Sequence, residues 1–412
     1  MNILHIVAGD LNGGAAKGAY WLHCGLKELG INSNILTNSK TTLNDENIFT
    51  VNTTNKSKFF DIVRKKIDKF FFQIYSNRQK TPMSLAIVGY DFRKTKLYKE
   101  ADIIHLHWIN GGFVNVKHLS KINKPIVWTM RDMWPLTGGC HVSLDCERYK
   151  TGCGQCPQLN SQMYYDLSKF ILNRKQRFLP KDIKLVGISN WLSSKAEESY
   201  LFRDYDIRTI SNNIDTASFF PVDKSVAKQV LGLQTDKKII LCGAAKPDIY
   251  YKGFSQFMSC LDYLDRSKYF LCFFGQLDEK LVKKLGFEYN CLGYLNDIIS
   301  LRLAYCCADV FVAPSMMDAF AKTIAESMAC GTPSVCFNAT GPKDIITHQE
   351  DGYKAAYLNV KDLANGVEWV VNHPRYDKLC KVARKKTCEQ FDNKVIARQY
   401  IDLYKEILEQ NT

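Results

Sequence analysis

The stretch VFVAPSMMDAFAKTIAESMACGTPSVCF, residues 310–337, reads as a strand, a loop, a helix and a second strand. Val310–Ala313 and Ser334–Phe337 are short apolar runs typical of buried strands. Between them, residues 322–330 have helical spacing, and Gly331-Thr332-Pro333 is a typical helix stop. This order of elements is the repeating unit of a parallel sheet covered by helices on both faces.

The same pattern recurs along the chain, at Ile3–Val7, Ile103–Leu106, Pro125–Thr129, Leu185–Ile188, Ile239–Cys242 and Tyr269–Phe274. We therefore expect an α/β protein with two doubly wound, Rossmann-like domains. The predicted boundaries are 1–213 for the first domain, 214–236 for a linker, 237–384 for the second domain and 385–412 for an amphipathic helical tail. Ligands of such sheets bind beyond the carboxyl ends of the strands, and two facing domains would form a cleft.

The composition is that of a soluble globular protein. The 412 residues include 55 basic and 42 acidic side chains, a net charge of +13, with 46% hydrophobic and 24% charged residues. A single small domain and a disordered chain are both excluded. No apolar run reaches the roughly 18 residues of a membrane span, and residues 1–7 do not resemble a signal peptide, so we expect a cytoplasmic protein. The basic residues are scattered and accompany no nucleic-acid-binding motif, which predicts no nucleic-acid partner.

The loop of the quoted stretch carries acidic residues suited to sugar binding. Asp318 and Glu326 are eight positions apart, which corresponds to roughly 12 Å along a helix axis, so two hydroxyl-rich groups could be held at once. Upstream, Lys246 follows a strand, and Lys252 opens the next helix beside Gly253. Lys252 could stabilise a diphosphate leaving group, although a solvated lysine is the simpler interpretation.

A second glycine-containing loop follows the first strand. Gly13 and Gly14 precede a helix-like segment and could receive a phosphate or a sugar at exposed backbone amides. The dinucleotide spacing G-x-G-x-x-G is absent, and a purely structural turn is an equal alternative.

Residues 314–333 fit the pattern P-S-x-x-[E/D]-x-F-x-x-x-x-x-E-x-x-A-x-G-x-P. This pattern resembles the E-x7-E signature of retaining, family-4-type glycosyltransferases with the GT-B fold, a family that includes enzymes of polysaccharide biosynthesis. The resemblance covers nearly the whole chain and is supported by Gly13-Gly14-Ala15-Ala16, His105-Leu106-His107-Trp108, Ser189-Asn190-Trp191, Asn212-Asn213-Ile214-Asp215, Lys252-Gly253, Leu292-Gly293-Tyr294 and Ala308-Asp309-Val310-Phe311. It implies two Rossmann-like domains that face a cleft, with the C-terminal helix packing back towards the N-terminal domain.

The resemblance also implies roles for particular residues. Glu326 would hold the ribose of a nucleoside-diphosphate-sugar donor, Lys252 its diphosphate and Asp318 its sugar hydroxyls. The remaining donor-binding candidates are Lys246, Phe320, Ala321, Lys322 and Thr323, and those for an acceptor or phosphate loop are Gly13, Gly14, Arg131 and Asp132. Transfer would occur by front-face attack with retention of configuration, and no catalytic metal would be required.

Two positions depart from the family pattern. Asp318 stands where glutamate is usual, and the shorter side chain could alter donor choice or geometry. Arg131 stands where histidine usually precedes the aspartate, here Asp132. If Arg131 faces the cleft it could meet an anionic sugar or phosphate, and if it turns outward the change is silent.

Four cysteines cluster within residues 140–156, at Cys140, Cys146, Cys153 and Cys156. Four thiolates satisfy tetrahedral zinc, and a structural zinc site is one interpretation. Free or redox-active thiols and disulfides are the alternatives. The other cysteines mostly lie singly in apolar runs, which indicates a reducing compartment.

Residues 56–80 combine aromatic and aliphatic side chains with lysines and arginines. This basic amphipathic segment could lie on an anionic membrane surface, at the inner face of the cell membrane, near a lipid-linked acceptor. An ordinary helix packed on the N-terminal sheet is the alternative.

The function predicted from all these features is transfer of a sugar from a nucleoside-diphosphate sugar to a glycan or lipid-linked oligosaccharide, in surface polysaccharide (lipopolysaccharide or capsule) biosynthesis. The alternatives are a catalytically silent GT-B partner that binds glycans or acts as a scaffold, and a GT-B sugar-nucleotide epimerase or phosphorylase-like enzyme.

Overall fold

The computed structural model describes residues 1–244, 249–277, 282–283 and 285–410. The chain divides into two compact units. Unit 1 consists of Met1–Ser211 and Ile396–Thr412, and unit 2 consists of Asn212–Val395. Each unit is built on its own parallel sheet, which confirms the predicted α/β class with two Rossmann-like domains.

The sheet of unit 1 has seven strands in the described residues. They are β1 (Asn2–Ile6), β2 (Asn32–Thr37), β3 (Ile48–Thr50), β4 (Ile103–Leu106), β5 (Ile126–Met130), β6 (Lys184–Gly187) and β7 (Ile207–Thr209). Their spatial order is β3-β2-β1-β4-β5-β6-β7, and all pairs are parallel. The order reverses between β1 and β4, which is the switch point where doubly wound sheets bind ligands.

The helices of unit 1 connect these strands. They are α1 (Gly14–Glu28), α2 (Asn55–Phe70), α3 (Lys96–Glu100), α4 (Leu167–Phe178) and α5 (Asn190–Glu197). Short 3-10 turns supplement them, including Phe71–Ile74, Arg148–Lys150 and Pro157–Leu159.

The sheet of unit 2 has six described strands, which are β8 (Lys238–Gly243), β9 (Tyr269–Phe274), β10 (Glu288–Cys291), β11 (Val310–Ala313), β12 (Ser334–Phe337) and β13 (Gly352–Ala355). Their order is β10-β9-β8-β11-β12-β13, again parallel throughout, with the switch point between β8 and β11. The described helices are α6 (Lys224–Val230), α7 (Phe254–Cys260), α8 (Ile298–Cys307), α9 (Lys322–Ala329), α10 (Val360–Val371) and α11 (Tyr376–Gln390).

Helix α9 ends as the sequence predicts. Gly331 has a φ of +80°, a left-handed conformation that glycine adopts without strain. The amide of Gly331 donates to the carbonyl of Met328 at 2.9 Å, and the amide of Thr332 donates to that of Ser327 at 3.0 Å. These two bonds form a Schellman motif, which satisfies the last carbonyls of the helix and turns the chain into β12.

The predicted tail is two helices instead of one. After α11, the chain breaks at Phe391 and Asp392 and continues as α12 (Asn393–Gln410). The break is held by Ile214, whose amide donates to the carbonyl of Phe391 at 2.8 Å and whose carbonyl accepts from Asn393 at 3.1 Å. Periodicity missed the break because apolar spacing continues across it.

Helix α12 closes the core of unit 1. Its buried residues pack with Ile3, Leu22, Ile103 and Val127, and comprise Ile396, Ala397, Tyr400, Leu403, Tyr404 and Ile407. The expected return of the C-terminal helix to the N-terminal domain is confirmed. Residues 214–236, expected as a linker, lie within unit 2 and include α6. None of the described helices has the length and apolar character that crossing a membrane requires.

Candidate functional site

Two loops meet at the switch point of unit 2. One follows β8 and leads through Lys252 and Gly253 into α7, and the other follows β11 and leads through Asp318 into α9. Gly253 has a φ of +72°, and a Cβ atom there would overlap the carbonyl oxygen of Pro314. The two loops therefore approach each other at backbone distance, and only glycine permits that contact.

An ion pair joins these loops. Lys252 Nζ lies 2.6 Å from Asp318 Oδ2, with the two side chains 28% and 20% exposed. Asp318 Oδ1 accepts from the amides of Phe320 at 3.1 Å and Ala321 at 2.8 Å. Burial would raise the pKa of Asp318, but the charge of Lys252 and these hydrogen bonds hold that pKa below its usual value. Burial would likewise lower the pKa of Lys252, yet the carboxylate of Asp318 raises that pKa.

Asp318 also organises its own loop. Its amide donates to Thr340 Oγ1 at 3.3 Å, and its carbonyl accepts from Gly341 at 2.9 Å. A Cβ atom at Gly341 would overlap the backbone of Ala319 and Phe320, so this neighbouring loop also packs against the site without a side chain. Asp318 thus links three segments of unit 2 through both its side chain and its backbone.

Glu326 lies on α9 and is 7% exposed. Its Oε2 accepts a hydrogen bond from the hydroxyl of Tyr305 on α8 at 2.9 Å. Burial and the negative charge of Glu326 raise the pKa of Tyr305 well above its usual value, so this hydroxyl remains a donor. Tyr305 therefore fixes one carboxylate oxygen of Glu326 and orients the other.

The start of α9 contains the other predicted donor-binding residues. Ala321 precedes the helix with a φ of +60°, and Lys322 and Thr323 form its first turn. The ring of Phe320 is buried against Phe391, with centroids 5.6 Å apart, so only the backbone of Phe320 is oriented towards the loop network. Lys246 lies outside the described residues.

In unit 1, Gly13 and Gly14 form the entry to α1 at the carboxyl end of β1. Gly13 is the N-cap with a φ of −71°, and no side chain caps the helix. A Cβ atom at either glycine would meet nothing within 4 Å. Neither position therefore requires glycine for its own packing, and the first amides of α1 have no side-chain cap.

Arg131 is buried in the structure of unit 1. Its side chain follows β5, is 8% exposed, and its Nη2 lies 3.2 Å from His107 Nδ1 inside unit 1. Burial lowers the pKa of Arg131 to about 10, so the guanidinium remains a cation at neutral pH. The guanidinium therefore lies in the interior of unit 1, beside a cluster of histidines.

That cluster consists of His5, His105 and His107, whose ring nitrogens lie within 4.8 Å of one another. His5 Nδ1 contacts His107 Nε2 at 2.9 Å, and His105 contacts Tyr404 at 2.6 Å and Thr129 at 2.7 Å. Burial, with the nearby charges, lowers the pKa of all three histidines well below the usual value. Since both nitrogens of His105 and His107 are hydrogen bonded and Arg131 is adjacent, the cluster suits a neutral structural network better than a metal ion.

Asp132 is partly exposed at the carboxyl end of β5. Its Oδ2 accepts from Trp108 Nε1 at 3.0 Å and lies 2.7 Å from His141 Nδ1, and its Oδ1 accepts from the amide of Trp134 at 2.9 Å. His141 Nε2 in turn contacts Ser84 Oγ at 2.9 Å. An imidazole thus contacts Asp132 from nine residues further along the same segment.

Sequence reasoning missed three residues that shape these sites: Tyr305, Thr340 and His141. Tyr305 is an aromatic residue in a buried helix and reads as core. Thr340 lies in a polar loop, and His141 is a single histidine beside Cys140. None carries a sequence signal of its own, because each acts through a partner brought near by the fold.

Comparisons with known proteins agree with this architecture. Residues 223–389 match the family of glycosyl transferases group 1. The N,N'-diacetylbacillosaminyl-diphospho-undecaprenol alpha-1,3-N-acetylgalactosaminyltransferase of Campylobacter jejuni is 28% identical over 206 residues, which are 48% of this chain. The aligned region spans only 54% of that relative's length.

Solved structures match over the full chain. Sucrose-phosphate synthase from Thermosynechococcus elongatus has a TM-score of 0.71 at 17% identity and covers 100% of both chains. HepE of Anabaena, in complex with UDP and glucose, has a TM-score of 0.64 at 15% identity and covers 98% of this chain and 99% of its own. These likenesses establish the GT-B type of fold, and the part of the chain that is similar to the family of glycosyl transferases group 1 is residues 223–389, within unit 2.

Proposed function

We propose that the protein is a retaining glycosyltransferase that transfers a sugar from a nucleoside-diphosphate sugar, bound in unit 2, to a glycan or lipid-linked oligosaccharide. The observation that supports this proposal is the contact of Lys252 with Asp318 at the switch point of unit 2, beside the start of the helix that contains Glu326. A cation, a carboxylate and the start of a helix lie where doubly wound sheets bind nucleotides.

The chemistry of each residue matches one part of the donor. The ammonium of Lys252 has three N–H donors, so it can bind a phosphate oxygen while it remains beside Asp318. The carboxylate of Asp318 is then available to accept hydrogen bonds from sugar hydroxyls. The second oxygen of Glu326 can accept from ribose hydroxyls while Tyr305 holds the first. The UDP and glucose named with HepE, and the lipid-linked substrate named for the Campylobacter relative, support this donor and acceptor class.

The reaction needs little from a protein base. The bond between the anomeric carbon and the diphosphate breaks as the acceptor oxygen bonds to the same face of that carbon. The acceptor proton passes to the departing phosphate oxygen. Lys252 and the amides at the start of α9 stabilise the negative charge that develops there, and in this proposal no metal takes part.

The decisive experiment measures donor binding and transfer together. Calorimetry with UDP, GDP and ADP, followed by turnover of the corresponding sugars, should identify one nucleotide. Glu326→Gln should raise the KM for the donor by about 10–100-fold, because a ribose hydrogen bond to a carboxylate contributes roughly 1.5–3 kcal/mol. Glu350→Gln, an exposed glutamate of unit 2, is the matched control.

The products distinguish the alternatives. NMR of the new linkage should show the donor's anomeric configuration, and an inverted product would refute retention. Nucleotide binding without turnover on any acceptor would favour a silent partner that binds glycans. Interconversion of the free sugar nucleotide would favour an epimerase.

We also propose that α2 brings unit 1 to an anionic membrane. The helix turns two carboxylates inward: Asp61 accepts from Asn38 Nδ2 at 2.9 Å, and Asp68 accepts from the amides of Leu85 and Ala86 at 3.0 and 2.9 Å. Its apolar side chains face solvent instead, with Phe59 63% exposed. The other exposed apolar residues of this surface are Phe60, Ile62, Phe70, Phe71 and Ile74.

This arrangement differs from an ordinary amphipathic helix packed by its apolar face. Exposed aromatic residues among lysines fit a surface of anionic lipids, where apolar burial and charge attraction act together. Cosedimentation with vesicles of phosphatidylglycerol and phosphatidylcholine should show binding that Phe59→Ser with Phe60→Ser weakens several-fold. Tyr263→Ser, an exposed aromatic residue of unit 2, is the control. Equal binding by all variants, or none by the wild type, would refute this role.

A further inference from the structure

Residues 131–166 connect β5 to α4 with no strand or α-helix between them, apart from short 3-10 turns. Backbone conformations with positive φ are concentrated here, and Cys153, Gly154 and Gln155 have consecutive φ values of 53°, 95° and 46°. Long irregular segments of this kind are uncommon in compact domains unless something else holds them. This segment contains the four clustered cysteines.

All four cysteines line one small cavity. Cys140, Cys146, Cys153 and Cys156 surround a space of about 20 Å³, and all four are free thiols. The space is slightly larger than the volume that one water molecule's centre requires. The four cysteines thus line a single cavity whose size suits one ion.

Backbone amides are directed at three of the four cysteine side chains. The amide of Gly138 donates to Cys153 Sγ at 3.2 Å. The amide of Arg148 is directed at Cys146, and those of Gln158 and Leu159 are directed at Cys156. The hydroxyl of Thr137 donates to the carbonyl of Cys140 at 2.7 Å. Backbone amides aimed at cysteine sulfurs are a common feature around metal-bound thiolates.

A buried lysine completes the surroundings. Lys175 on α4 is fully buried, and its Nζ donates to the carbonyls of Trp134 and Thr137. Within the described ranges no carboxylate oxygen lies within 4.0 Å of Lys175 Nζ. The groups that interact with it electrostatically are Cys140, Cys153 and Asp132. Four thiolates around a divalent ion carry a net charge of −2, which would add to the negative charge near this lysine.

We propose that Cys140, Cys146, Cys153 and Cys156 bind one Zn²⁺ ion in a closed, structural site. Four sulfur ligands in a tetrahedral arrangement suit zinc, at Zn–S distances of roughly 2.3 Å. Among the described residues only the histidine cluster has its ligand atoms within 4.8 Å of one another, so zinc binding requires the four sulfurs to move closer together. Each thiol that binds the ion releases its proton to solvent.

The proposed zinc site is connected to Asp132, a candidate acceptor residue, through the residue next to Cys140. His141, which contacts Asp132 at 2.7 Å, is the residue after Cys140. Fixing Cys140 on zinc therefore fixes His141 and, through it, the Asp132 carboxylate. His141 is a positioning residue for Asp132 in this arrangement.

The test is elemental analysis of the full-length protein, purified from zinc-supplemented medium without chelators. We expect one zinc per chain, and little zinc in Cys153→Ser with Cys156→Ser. Cys24→Ser, a partly buried cysteine of unit 1 outside the cluster, should keep the metal. Because the double variant could fail to fold, the wild type is also titrated with an organomercurial, which should release one zinc as four thiols react.

Replacement by Co²⁺ supplies a measurement independent of activity. Intense d–d absorption typical of tetrahedral thiolate coordination is the expected result. A folded wild-type protein that contains no zinc and whose four thiols react freely would overturn the proposal. Iron in place of zinc, or two disulfides found by mass mapping, would overturn it equally.

Discussion

The ion pair between Lys252 and Asp318 can be tested by a double-mutant cycle of Lys252→Met, Asp318→Asn and the combined variant. The pair is short, at 2.6 Å, and Asp318 keeps two backbone donors when the lysine is removed. Removing one partner of a fully buried pair costs about 3–5 kcal/mol, whereas exposed pairs contribute about 0.2–1 kcal/mol. Because both side chains are 20–28% exposed, we expect a coupling free energy of about 1–2 kcal/mol.

Chemical denaturation followed by fluorescence measures this coupling, and its pH dependence identifies the charges. The pKa of Asp318 lies below its reference value of 3.8, so its contribution is present above that pH and is lost as pH falls through the lowered folded pKa. The pKa of Lys252 lies above 10.5, so its contribution is present below that pH and is lost as pH rises through the raised pKa. The coupling should therefore persist from about pH 4 to about pH 10.

The same variants test the site. Asp318→Asn removes a negative charge that repels the phosphate bound to Lys252, so it should tighten nucleoside-diphosphate binding while it slows transfer. Lys252→Met should weaken binding, and Lys361→Met, at an exposed lysine of α10, should not. A coupling within about 0.3 kcal/mol of zero at pH 7, or one that does not change with acid, would refute this reasoning.

Three further substitutions test separate contacts. Gly253→Ala forces a Cβ against Pro314 at a φ of +72°, and we expect a loss of about 2–5 kcal/mol in the unfolding free energy of unit 2, measured by denaturation. Tyr305→Phe removes the donor to Glu326 and should raise the donor KM about 5–20-fold with a smaller change in kcat, since one hydrogen bond to a charged group contributes roughly 1–2 kcal/mol. Tyr404→Phe leaves His105 Nδ1 unpaired inside unit 1 and should lower its stability by about 1–3 kcal/mol. The exposed Tyr263→Phe controls both tyrosine variants, and a loss no larger than in this control would contradict either prediction.

The central strands could be predicted from the sequence because they are buried on both faces. Val310–Ala313, Ser334–Phe337 and Tyr269–Phe274 are continuous apolar runs, and the structure has strands at those bounds. Strands nearer the edges of the sheets could not be predicted in the same way. Asn32–Thr37 and Glu288–Cys291 contain polar residues because one side of each faces less of the core.

The candidate site was only partly predictable. Lys252 and Asp318 could each be singled out by the loops they occupy, but their contact depends on β8 and β11 being neighbours. Arg131 shows the limit of motif reasoning, because its neighbour His107 follows a different strand, β4. A single sequence contains no signal for such pairings, which arise from packing across distant segments.

The return of α12 to unit 1 has a consequence for synthesis on the ribosome. Unit 1 consists of Met1–Ser211 and Ile396–Thr412, so the whole of unit 2 is synthesised before the second of these segments. At a synthesis rate of about 5–20 residues per second, roughly 10–40 s pass before α12 is available to unit 1. This helix covers Ile3 and Ile103 and makes a hydrogen bond to His105. During that interval the nascent chain exposes an apolar surface and leaves one nitrogen of His105 without its partner, so chaperone binding should be greatest before residue 396 leaves the exit tunnel.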